Sequence, residues 1–209
     1  MLRMVELATM PGLRGRIPAA LCQLVNLRRL CICRCGLVGE IPPEINQLLQ
    51  LEELQLFGNS LSGVIPNSLG DLTNLRLLSL GEYTGGNSFV PSVLPSCISR
   101  LRKLEALFMA NCHLRGPLPN WMGNLSELRQ LDLQRNSISG TIPSEFQYLK
   151  SLLYLNLKDN NNLSGALPVF PLGRLTKLNR LSLVHCGFES NADRVAELQS
   201  LLPRCRLWI

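Results

Sequence analysis

The chain has 209 residues, 46% of them hydrophobic and 17% charged, and a formal net charge of +6. The length suits one elongated domain better than two globular ones. No stretch reaches the roughly 18 consecutive apolar residues that a membrane-spanning helix needs.

The chain repeats itself about every 24 residues. Copies start at Leu2, Leu27, Leu51, Leu75, Leu104, Leu128, Leu152 and Leu178. Each opens Leu-x-x-Leu-x-Leu, with Val5, Ile32 and Met109 as substitutions. Alternation of period two makes each opening a short strand with one buried face. An Asn position follows (Asn59, Asn136, Asn160), where a buried amide can bond the backbones of adjacent turns. Cys35, Cys112 and Cys186 occupy that position in other copies, as small hydrophobes with a weak donor. A glycine comes next, then Ile-Pro or Leu-Pro in seven of the eight copies, ending at Pro18, Pro42, Pro66, Pro95, Pro119, Pro143 and Pro168. Proline interrupts regular helix, so each return leg starts extended and ends in one short helical turn. A period of this length means a solenoid, whose units bury their apolar sides only against neighbours. Strands about 4.8 Å apart make the stack roughly 35–40 Å long.

The first copy begins at once with Leu2, Val5 and Leu7, so Met1 to Leu7 reads as a strand and not as a signal peptide. It carries no cap. A fragment of a longer protein is the favoured reading; self-association through this uncapped repeat and fraying are the others. Residues 1–39 hold six arginines against Glu6, a local charge of +5. Such an end could attract an acidic partner, but no aromatics interleave with the arginines, so nucleic acid is not expected and a solvated end is preferred.

In the second copy Cys31, Cys33 and Cys35 alternate along one strand. Cys31 and Cys33 should face outward, exposed to oxidation, while Cys35 turns inward, so no four-ligand zinc site forms and no metal is expected. The ladder cysteines lie three repeats apart, far beyond disulfide reach. All eight thiols are expected to be free, which fits a reducing compartment. Asn124 and Asn162 open glycosylation sequons that matter only in the secretory path.

Outward strand positions form columns. One runs Cys31, Gln55, Ser79, Phe108, Asp132, Asn156, Ser182; its neighbours hold Phe57 on one side and Gln130 and Tyr154 on the other. Phe57, Phe108 and Tyr154 are aromatics on a face that should be wet, and such residues anchor partners. The expected patch runs from Phe57 to Tyr154, with Gln130, Asp132 and Asn156 as polar contacts. The fourth copy carries five extra residues within Gly81 to Phe89, and its Tyr83 could extend the patch from the rim. His113 and His185 each flank a ladder cysteine and read as rim residues. No nucleophile, acid–base or phosphate-loop constellation converges, so no enzyme and no cofactor are expected. The varied columns also disfavour ice binding. At the C-terminal end Ser190 and Asp193 suggest a capping box. Val195, Leu198, Leu201 and Leu202 then give a helical stripe, and Cys205 to Ile209 a last strand.

These residues resemble the plant-type leucine-rich repeat, Leu-x-x-Leu-x-Leu-x-x-Asn-x-Leu-x-Gly-x-Ile-Pro, from about Leu2 to Phe188. Receptor-kinase ectodomains and polygalacturonase-inhibiting proteins share it. The paired-cysteine caps of secreted members are missing here, as are a transmembrane segment and a kinase domain. The resemblance implies an α/β solenoid: a right-handed superhelix with a parallel concave sheet and short helical or 3-10 return legs. A capping helix plus strand spans 190–209, closing one domain over 1–209. It implies a non-catalytic scaffold that binds a protein or peptide ligand on its concave face. The alternative is a fragment of a receptor or secreted ectodomain that binds an extracellular ligand or inhibits a cell-wall-degrading enzyme. Location is expected to be cytoplasmic if Met1 is the native start, and extracellular if the chain belongs to a longer precursor.

Overall fold

The structure, a computed structural model, describes residues 2–10, 12–84, 86–189 and 191–209. Nine parallel strands make one sheet in chain order, from Met4–Ala8 through Arg29–Cys33, Glu53–Gln55, Leu77–Ser79, Ala106–Phe108, Gln130–Asp132, Tyr154–Asn156 and Arg180–Ser182 to Arg206–Trp208. Each strand pairs one repeat on, so Glu53 lies against Leu77, Leu77 against Ala106, and Ala106 against Gln130. The expected columns are therefore the observed register. Leu54, Leu78, Leu107, Leu131 and Leu155 point inward and are fully buried, as are Leu56, Leu80, Leu133 and Leu157 two positions on. At about 25 cal/mol per Å² these continuous leucine rows are the main stabilising term.

The inner ladder joins the repeats through side-chain amides. Asn59 Oδ1 accepts the N–H groups of Cys35 and Leu37, one repeat back, while its Nδ2 donates to the Ile32 and Leu56 carbonyls. Asn136 repeats that pattern. A fourth member had no signature in the sequence. Asn87, beyond the extra residues of the fourth copy, accepts the Leu61 N–H and donates to Leu56 and Leu80. The insertion thus lies mainly before the ladder residue, and the chain rejoins the stack at Asn87. At the ladder cysteines, the Cys112 thiol reaches the Ala110 carbonyl and Cys186 that of Leu157.

Past the ladder, short strands pair in parallel as a second layer. Val38–Gly39, Ser60–Gly63 and Ser88–Phe89 make one set, Arg115–Pro117 with Ser137–Ser139 a second, and Ser164–Ala166 with Gly187–Glu189 a third. The return legs then form 3-10 turns, as at Pro43–Gln47, Asn67–Asp71 and Asn120–Asn124, each entered from an extended proline. Proline fixes the backbone angle that starts the turn, and a leucine N–H bonding three residues back closes it. The seventh leg is instead a short α-helix, Val169–Gly173.

The C-terminal end is covered by helix Ala192–Leu201 and strand Arg206–Trp208. The expected cap at Ser190 lies outside the described residues. Asn191 caps the helix, its Oδ1 accepting the Arg194 N–H at 2.9 Å. Leu198 and Leu202 are buried, but Leu201 is 47% exposed, so the stripe is narrower than the pattern implied. At the opposite end strand Met4–Ala8 pairs on one side only, with Arg29–Cys33. No helix is long and apolar enough to cross a membrane among the described residues.

Candidate functional site

Phe57, Phe108 and Tyr83 come together around a depression of about 280 Å³ on the outer face of the nine-stranded sheet. Its floor is Ser79, Gly81 and Ala110; Asp132, Gln134 and Glu82 complete the wall. Gly81 lets the strands lie close beneath it. A Cβ there would collide with the Ala110 carbonyl and come within 2.5 Å of Cys112 Sγ.

The insertion builds one wall and is tied down on both sides. Arg34 Nε lies 3.2 Å from each Glu82 carboxylate oxygen, and its guanidinium stands over the Phe57 ring at 5.7 Å. On the other side Arg135 stacks on Tyr83, 4.1 Å from the ring centre, and donates to the Tyr83 carbonyl at 3.2 Å. Arg34 and Arg135 hold equivalent places, one residue before the ladder, in left-handed backbone with φ near +55°. Neither contact has a periodic mark in the sequence, since the arginines sit in different copies, 48 and 52 residues from their partners.

Asp132 is 9% exposed, the sole acidic side chain among the described buried residues. Its Oδ1 accepts the Gln134 N–H at 3.1 Å; its Oδ2 accepts from the Gln134 amide, the Tyr154 hydroxyl and the Asn156 amide at 3.0, 3.3 and 3.2 Å. Burial pushes the Asp132 carboxyl above its ordinary range, against those hydrogen bonds, which favour the charged form. Burial and the neighbouring Asp132 charge push Tyr154 to about 12.

The structure therefore divides the expected patch. Phe57, Phe108, Asp132 and Tyr83 line one depression. Tyr154 and Gln130 line a second, with Leu153, Asn179 and Arg180, of about 390 Å³. Only the Tyr154 hydroxyl reaches across, to Asp132. Asn156 is buried and spent on Asp132 and the Lys158 N–H, so it supports the carboxylate and is not an open polar contact.

Other expectations resolve as follows. All eight cysteines are free. Cys33, expected outside, is only 4% exposed: its thiol turns to the Gln55 carbonyl of the next strand, 3.2 Å from Cys31 Sγ. His185 is exposed, as a rim residue should be, and its Nδ1 lies 2.6 Å from Asp159, which also sits near Arg135. Of the basic N-terminal residues, Arg28, Arg29 and Arg34 pair with Glu52, Glu53 and Glu82 of later copies. Much of that positive end is thus neutralised within the stack.

The repeat architecture has counterparts in known proteins. Leucine-rich repeat models match residues 118–163 and, as single repeats, 26–48, 50–72 and 103–125. The chain belongs to the leucine-rich repeat family. Its fold is accordingly a right-handed solenoid, and the site lies on its concave face. Among solved structures it is similar to the Arabidopsis receptor kinase HAESA, determined with the peptide hormone IDA and the co-receptor SERK1. That likeness has 38% identity and a TM-score of 0.78 over 84% of this chain. The chain spans 28% of that receptor chain, under a third of its length. A plant ice-binding protein matches at 27% identity and TM-score 0.81, over 97% of this chain and 62% of its own. A leucine-rich repeat protein of Leptospira interrogans matches at 28% and 0.78, over 100% and 49%. No curated protein sequence matches significantly.

Proposed function

We propose that this leucine-rich repeat chain is a non-catalytic scaffold that binds a peptide or an extended segment of a protein, with Phe57, Phe108 and Tyr83 as its anchors. The depression carries the reading: three aromatic rings meet there, with Ser79, Asp132 and Gln134 as polar neighbours. Half-exposed rings with polar neighbours are the composition of interaction hot spots. At about 280 Å³ it falls at or below the roughly 300–1,000 Å³ of whole small-molecule pockets, which suits one side chain of a longer ligand. The second depression, at Tyr154 and Gln130, lies along the same sheet and would take a later part of that ligand.

The 38% identity to a peptide-hormone receptor supports a more specific form, in which the chain is part of an extracellular receptor ectodomain. Asn124 and Asn162, both exposed, would then be open to glycosylation. The free thiols instead favour a reducing compartment.

The test is selection of peptides from a displayed random library on the whole chain, repeated with Phe57→Ala and Phe108→Ala. Enriched peptides should lose at least about tenfold in affinity on either variant, the cost of removing one aromatic hot spot. Peptides that bind both variants as well as the parent would place recognition elsewhere.

A further inference from the structure

The depression pairs an aromatic ring with a carboxylate that has no cation. Phe108 and Asp132 are register partners on adjacent parallel strands, so both stand on the same column, one strand apart. Asp132 accepts four hydrogen bonds, all from neutral donors, and forms no ion pair among the described residues. Other acidic residues of this region are treated differently. Glu52, Glu53, Glu82, Glu105 and Asp159 each lie within 4 Å of an arginine. Exposed carboxylates such as Glu127 also have no arginine within 4 Å among the described residues, but water solvates them; Asp132 is the buried one, and a buried charge in that state gains most from acquiring a counter-charge.

The rings differ in the same respect. An arginine stands over Phe57, and another over Tyr83. Phe108, the third ring at the depression, has none among the described residues. Twice, then, the chain sets a guanidinium on a ring beside the depression, each time with a carboxylate next to it, Glu82 for Arg34 and Asp159 for Arg135. The third ring and the buried carboxylate lack the cation.

We propose that Phe108 and Asp132 form a subsite for a cationic side chain of the ligand, arginine above all, with its guanidinium over the Phe108 ring and its charge against Asp132. The inference rests on the concave-face reading above and specifies what that face selects. Arginine is favoured over lysine because its planar, weakly hydrated group stacks on a ring and also meets a carboxylate. Gln134 and Asn156 hold the Asp132 carboxylate in place, so binding would not need to order it first.

The test uses the whole chain and immobilised hexapeptide pools, random at five positions and fixed at the sixth as arginine, citrulline, lysine or glutamate. Citrulline keeps the shape of arginine and loses the charge. Arginine pools are expected to retain at least about tenfold more protein than citrulline pools, the scale of one charge-assisted contact. Asp132→Asn should erase that difference and Phe108→Leu should reduce it. The arginine–citrulline comparison on the unaltered protein needs no variant to fold. Equal retention on both pools overturns the inference. If retention is equal but falls with Phe57→Ala, the concave face still binds peptide and only the cation preference fails. If no pool is retained, or no substitution around the depression alters retention, the concave-face reading fails with it.

Discussion

Asn160→Ala tests how much of the stack depends on its amide ladder. Asn160 is fully buried. Its Oδ1 accepts the Ile138 N–H at 3.1 Å, and its Nδ2 donates to the Leu133 and Leu157 carbonyls at 3.0 and 2.8 Å. A longer contact from Nδ2 to the Lys158 carbonyl, at 3.5 Å, adds little, and the other three losses are unequal. The Leu133 carbonyl keeps the Asn136 amide and the Leu157 carbonyl keeps the Cys186 thiol, so each gives up one bond of two, about 0.5–1.5 kcal/mol apiece. The Ile138 N–H loses its side-chain acceptor and is left buried and unpaired, at about 1–3 kcal/mol. Together these come to about 4 kcal/mol. With a urea m-value of about 2 kcal/mol/M the unfolding midpoint should drop by about 2 M. Asn160→Cys, which copies the chain's own choice at positions 35, 112 and 186, should cost clearly less, since the thiol fills space and donates weakly. Urea titrations followed by far-UV circular dichroism measure both. A loss below about 1 kcal/mol for the alanine variant, or a cysteine variant no better than alanine, would refute the accounting.

Asp132 gives a pH signature. Burial raises its folded value above the unfolded one of about 3.9, so the folded state holds the proton more tightly between those two values. Its contribution to stability therefore falls as pH rises through that window. The difference in urea midpoint between wild type and Asp132→Asn should shift against the wild type from about pH 3.5 to 7; a flat difference contradicts the burial effect. Gly81→Ala should destabilise by about 1–3 kcal/mol, because the new methyl meets the Ala110 carbonyl on a rigid strand. A melting temperature unchanged within about 1 °C would show that the strands have room to separate.

Register was readable in the sequence because the repeat imposes it. Once Leu54, Leu78 and Leu107 are aligned, every outward neighbour is assigned, and the columns found in the sheet follow. Legibility failed where a residue's role depends on another repeat without a periodic mark. Asn87 is a full member of the ladder, but the inserted residues displace it from its expected place. The second layer of strands was hidden because glycine and proline there break the alternation that announces a strand. Cys33 was assigned outward by parity, and parity was right about the direction; the thiol is buried because its neighbours close over it. The site follows the same division. Phe57, Phe108 and Asp132 were legible because they occupy columns, while Arg34, Arg135 and Glu82 were not, because their contacts are set by an insertion that obeys no period.

That division also bears on how a repeat protein acquires specificity. The inward leucine and amide rows repeat at every step, so only residues outside those rows can favour one point along the length. Here the fourth copy breaks the period, and its added residues reach toward the earlier copies through Glu82 and Arg34 and toward the later ones through Tyr83 and Arg135. The wall they form stands beside the column where Phe108 and Asp132 happen to be adjacent. Loop insertions of this size add little closure entropy, while the ordered ring, carboxylate and arginine contacts hold this one in a single place. The irregular copy thus sets Glu82 and Tyr83 beside the column of Phe108 and Asp132, and the regular copies hold that column in register.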